Sequence, residues 1–143
     1  MFAPQSSSLD PLLLQAYRDT LYEVCEPPLT LRVGVVCEPL RMLHRRLGVE
    51  CSAFLSACNP FSRRLDAPSN AARHGALLRQ LRAAGRVYFE GQGRHPSNGW
   101  PVELSVLVPG LTLRASGALA RRQGQNALVW CGAHAVPELI LLR

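Results

Sequence analysis

The sequence predicts an α+β fold: a single domain in which a mixed, largely antiparallel sheet carries about four helices packed against it. Three observations point there. Apolar residues recur at helical spacing in four separate stretches, and Gly48, Gly85 and Gly124 stand where three of those stretches should close. Residues 102–108 alternate, with Val102, Leu104, Val106 and Val108 on one face and Glu103 and Ser105 on the other. Short apolar segments bounded by Pro, Gly or Asn occupy much of the remainder.

Taken in order, residues 1–9 are small and polar and are expected to be a flexible segment, leaving 10–143 as the domain. Asp10-Pro11 is a helix start, an N-cap followed by proline at the first helical position, and Leu13, Tyr17, Leu21 and Val24 extend the helix over 10–24. Pro27-Pro28 breaks it, and 29–36 reads as a strand. Glu38-Pro39 opens a second helix with Leu40, Leu43, His44 and Leu47 inward, closed by Gly48. A strand over 50–58 ends at the turn signal Asn59-Pro60. Ser69 caps a third helix to Ala84, with His74, Leu77, Leu78 and Leu81 inward. A strand over 86–90, a Gly/Pro/Asn loop over 91–99 and the alternating strand follow. The fourth helix covers 112–123, and strands at 127–131 and 138–142 finish the chain.

Composition bounds the function. A chain of 143 residues is one domain, and 48% hydrophobic with 18% charged residues excludes a disordered chain. No apolar run approaches the ~20 residues of a membrane span, so no membrane partner is expected. The net charge of +6 comes entirely from arginine, for there is no lysine. An arginine excess of this kind reads as GC-rich coding bias as readily as a device for acidic partners. Cys25, Cys37, Cys51, Cys58 and Cys131 show no zinc-ligand spacing, and the start shows no secretory pattern. Free thiols in the cytoplasm of a bacterium, with no cofactor, is the expectation.

Three polar constellations carry the candidate chemistry. Asn59, Ser62, Asn70 and Arg73 cluster around the end of the 50–58 strand and the start of the third helix, where helix N–H groups and an arginine suit a phosphate or carboxylate. The same residue types also perform ordinary capping. Glu103, just after Trp100, can act as acid or base if its face is dry, or simply pair with an arginine. Gln125 and Asn126 sit between helix and strand, placed to read a ligand's hydrogen-bonding edge or to satisfy the turn. His44 and His74 lie on inward helical stripes and are the available partners for Glu103, while His95 and His134 fall in loops. No Ser/His/Asp, HExxH or phosphate-loop pattern is present.

The segments 54–62 (Phe-Leu-Ser-Ala-Cys-Asn-Pro-Phe-Ser), 100–105 (Trp-Pro-Val-Glu-Leu-Ser) and 124–130 (Gly-Gln-Asn-Ala-Leu-Val-Trp), with Asn70, Arg73 and Pro137-Glu138-Leu139, resemble in order and spacing the proteobacterial family known as domain of unknown function 3293. The resemblance spans about residues 14–143. It implies a small, stand-alone cytoplasmic protein and assigns no activity, cofactor or catalytic residue. One departure is visible: relatives are expected to carry an aromatic before Gly124, where this chain has Gln123.

The leading expectation is therefore a small-ligand domain for an anion, with Asn59, Ser62, Asn70 and Arg73 holding the charge and Trp100, Gln125 and Asn126 completing the pocket. One alternative is an enzyme using Glu103 with His74 or His44 as acid and base. Another is a protein- or nucleic-acid-binding module acting through Arg41, Arg45, Arg79, Arg82 and Arg86. Against a nucleic-acid partner, these arginines are spread rather than concentrated, and aromatics are only 6%.

Overall fold

The computed structural model describes residues 8–143, so most of the expected flexible segment lies outside the described residues. The chain order is α1 (Pro11–Asp19), β1 (Leu21–Val24), β2 (Leu29–Leu31), α2 (Glu38–Leu47), β3 (Ser52–Ser56), a 3-10 turn (Pro60–Ser62), α3 (Ala67–Ala83), β4 (Phe89–Arg94), β5 (Glu103–Pro109), α4 (Leu113–Arg122), β6 (Ala127–Cys131) and β7 (Pro137–Leu141). The strands form one sheet in the order β2-β1-β4-β5-β3-β6-β7, and every neighbouring pair is antiparallel. The sheet is thus not mixed. The reason is topological: α3 and α4 each link strands with one strand between them, and α2 links strands with three between them, so no crossover sets two parallel strands side by side.

Alternation along the central strands divides the core in two. Ala53, Leu55, Val106, Val108 and Leu128 face α3 and α4, meeting Leu77, Leu78, Leu81, Leu119 and Ala120. Phe54, Leu107, Val129 and Cys131 face the opposite side, meeting Leu40 and Leu43 of α2 with Leu29 and Leu31. A fully buried leucine contributes roughly 1.5–3 kcal/mol by leaving water, so these two seams hold the layers together.

Several elements differ from the sequence expectation for stated reasons. The helix over 10–24 stops at Asp19, although Asp10 does cap it, its carboxylate accepting from the Leu12 N–H at 2.7 Å. Leu21–Val24 instead satisfies its backbone in two ladders at once, against β2 and β4. The 29–36 strand ends at Leu31 because Gly34, at φ 82, turns the chain and Arg32 bridges Val35. Asp66, not Ser69, caps α3; its carboxylate accepts from the Ser69 N–H at 2.7 Å. The expected loop 91–99 begins with four residues of strand β4. By contrast α2 closes at Gly48 in the left-handed conformation, as the sequence predicts, and the expected fourth helix is α4, with Thr112 as its cap.

Candidate functional site

Between α1 and the sheet face it covers lies a cavity of about 200 Å³. Leu13, Ala16 and Tyr17 of α1 roof it; Tyr22, Phe54, Gly93 and Val129 floor it from four strands; Glu103 and Ser105 enter from β5. Its rim is the 59–62 turn, the loop between β4 and β5 (His95, Asn98, Trp100) and the Gln125-Asn126 pair ahead of β6.

The 59–62 turn is held in an unusual shape. Asn59, Phe61 and Ser62 all have positive φ, at 47°, 58° and 57°, a conformation costing of order 1–3 kcal/mol per non-glycine residue. Its surroundings over-determine it. The Phe61 N–H donates to the Gly124 carbonyl at 2.8 Å, and a Cβ on Gly124, itself at φ 71, would meet Pro60 Cβ at 2.9 Å. Arg143 lays its guanidinium 4.2 Å from the Phe61 ring centre. The result aims Ser62 into the cavity, where its hydroxyl lies 2.7 Å from the Tyr17 hydroxyl and accepts from the Asn126 amide at 3.0 Å.

Asn59, Ser62, Trp100, Glu103, Gln125 and Asn126 all line the cavity, whereas Asn70, Arg73 and His74 do not. Asn70 braces the turn: its Oδ1 accepts from the Asn59 N–H at 2.9 Å and its amide donates to Asn59 Oδ1 at 2.9 Å. Arg73 spends its guanidinium on backbone, donating to the Ala57 carbonyl at 2.6 Å and the Gln123 carbonyl at 2.7 Å. His74 lies on the other face of the sheet, 3.0 Å from a Glu90 carboxylate oxygen. His44 is 4% exposed and sits 2.6 Å from the Ser52 hydroxyl, at the opposite end of β3, and burial pushes its pKa down. Neither histidine is a partner for Glu103.

The histidine that does share the cavity is His95. Its Nδ1 accepts from the Ser97 and Asn98 N–H groups at 3.1 and 3.0 Å, which fixes the proton of the neutral ring on Nε2. The sequence carries the signal for the local turn, His-Pro-Ser-Asn-Gly, but not for its folding back over β5. Tyr22 was likewise invisible while 10–24 read as one helix. Burial drives its phenol well above the ordinary range, and its hydroxyl donates to the Tyr17 carbonyl.

Glu103 is the one formally charged residue at normal pH among the lining residues. Burial raises its pKa above the ordinary 4.5, and the side chains of Asn59 and Trp100, donating to it, offset part of that rise. The sign for stability follows from linkage. A raised carboxyl holds its proton more tightly folded than unfolded, so its contribution is full below about pH 4.5 and is lost as pH climbs through the raised value. We expect urea melts at stepped pH to show stability falling in that window, and Glu103→Gln to flatten the fall. Glu23 works in a separate window: bonds from Arg94 and Gln92 lower its pKa, so its contribution is lost only as pH falls below the ordinary range. A Glu103→Gln profile identical to wild type would rule out burial of this carboxyl as the cause.

The five arginines weighed for nucleic acid divide between the two sides of the sheet, Arg41 and Arg45 on α2 and Arg79 and Arg82 on α3, with Arg86 just beyond it. No helix among the described residues is long and apolar enough to cross a membrane.

A family model described as "Protein of unknown function (DUF3293)" matches residues 55–128, just over half of the chain. The match begins in β3 and ends in β6, taking in the strained turn, the bracing residues of α3 and the Glu103 strand. No curated protein and no solved structure matches the chain.

Proposed function

The chain belongs to the DUF3293 family, a protein family of unknown function, and we propose that this member is a small-ligand-binding domain whose ligand occupies the cavity beneath α1. The observation that carries the reading is the combination of an apolar cavity of about 200 Å³ with a polar rim fixed by three left-handed non-glycine residues. A cavity of ~150 Å³ accepts benzene, so this one has room for a single ring with a short substituent. Strained backbone of this kind persists only where its surroundings over-determine it, and it clusters at ligand and active sites. The five cysteines are free, which fits a bacterial cytoplasm.

Gly93 supplies the test. A Cβ there would make only ordinary contacts, 3.7 Å from Thr20 Cγ2 and 4.0 Å from Ser105 Oγ, so Gly93→Val suits a strand position and takes up part of the cavity. Phenol and indole should raise the thermal midpoint of the wild type and leave that of Gly93→Val unmoved. Equal shifts in both proteins, or none in either, would sink the reading.

A second reading, an acid–base enzyme on the same cavity, is favoured by the raised Glu103 carboxyl facing a space shared with His95 Nε2. It replaces His74 and His44 with His95 as the partner. Its test is turnover of whichever ring compound binds, lost in Glu103→Gln with binding retained.

A further inference from the structure

We propose that the cavity selects a ring-sized apolar molecule carrying a cationic N–H head, an amine or amidine, with the head seated on Glu103. The inference rests on the reading of the cavity as a ligand site and adds the chemistry of the ligand. The first argument is charge. The protein has sixteen arginines and no lysine, yet no arginine lines the cavity, where Glu103 is the one carboxyl among the described residues. Arg73, the arginine that the sequence offers to an anion, has its guanidinium on the Ala57 and Gln123 carbonyls.

The second argument is the hydrogen-bonding inventory. An ionised carboxylate has about four acceptor positions, and on Glu103 the neighbouring Asn59 and Trp100 side chains leave some of these for a ligand. Of the two amides ahead of β6, Gln125 spends both of its N–H groups, on the Cys58 and Gln123 carbonyls at 3.0 and 3.3 Å, and Asn126 spends one of its two on Ser62, so each brings a side-chain oxygen to the rim as an acceptor. A carboxylate and two amide oxygens around an aromatic-rich floor complement several N–H donors on a flat body, and they repel an anion.

Benzamidine, benzamide and benzoate share a ring and a planar three-atom head and differ in charge, so they separate the head from the ring. At about pH 8, isothermal titration should show benzamidine binding roughly tenfold or more tightly than benzamide, with benzoate weakest. Glu103→Gln should remove the benzamidine advantage, bringing the benzamidine-to-benzamide affinity ratio measured within the variant to about one. If benzamide binds in a manner abolished by Gly93→Val but benzamidine gains nothing over it, or benzoate binds tightest, the cationic head is overturned and the cavity reading stands. If none of the three binds the wild type, both are overturned.

Discussion

Gly91→Ala will cost about 3 kcal/mol or more of folding stability, the sum of an overpacked core contact and lost ladder hydrogen bonds. A Cβ at residue 91 would lie 2.2 Å from the Glu23 carbonyl oxygen and 3.2 Å from the Phe54 ring. The first is backbone in the neighbouring strand, so no side-chain rotation relieves it. Gly91 pairs with Val24 on one side and Ser105 on the other, and moving it apart from β1 opens the ladder that attaches β1 and β2 to the rest of the sheet. Gly93→Ala is the internal control. Two residues along the same strand and on the same face, it meets only ordinary contacts, and it should be neutral or gain about 0.5 kcal/mol from a less flexible unfolded chain. Urea denaturation of the two variants decides the matter. Equal midpoints would mean that β1 is free to shift and that close approach is not why residue 91 is glycine.

This pair also shows where reading the sequence succeeds and where it stops. Helices α2 and α4 were legible because their signals are local: Glu38-Pro39 and Gly48 frame one, Thr112 and Gly124 the other. Strand β1 and the 91–94 part of β4 were not, because Gly91 and Gly93 weaken β-propensity and become strand only when β1 lies against them. The error over 10–24 and the error over 91–94 are one error, since each segment is the other's reason for being extended. The rim of the cavity followed the same rule. Asn59, Ser62, Gln125 and Asn126 stand at turns, which a sequence displays, whereas the inclusion of Tyr22 and His95 depends on the roof and floor meeting in space.

Gln123 illustrates a milder case. The resemblance led to an aromatic at this position and to altered packing in its absence. The side chain at 123 is half-buried on the surface of α3, where its amide reaches Gln80 at 3.4 Å; the backbone carbonyl is what the site uses, as an acceptor for Arg73 and Gln125. A carbonyl is supplied by any residue, so the architecture of the rim does not depend on which side chain stands there.

That carbonyl leads to the second large effect. Arg73→Ala will cost about 3 kcal/mol, because each hydrogen bond from a charged donor to a carbonyl contributes ~1.5–3 kcal/mol and two are lost together. The anion-site expectation implies a different effect for this variant, the loss of anion binding. In the structure the guanidinium joins the segment after β3 to the end of α4, and Gln125 runs a parallel bond to the Cys58 carbonyl, so the two side chains clamp both ends of the rim. Arg73→Lys should not rescue stability, since a single ammonium does not reproduce a rigid fork spanning two carbonyls. Amide hydrogen exchange adds the positional readout: protection should fall first over residues 57–62 and 123–126, while β3 and β5 at the centre of the sheet keep theirs. A loss below about 0.5 kcal/mol, the range of ordinary surface substitutions, would show that these carbonyls are held by something else and that Arg73 is free to meet a ligand after all.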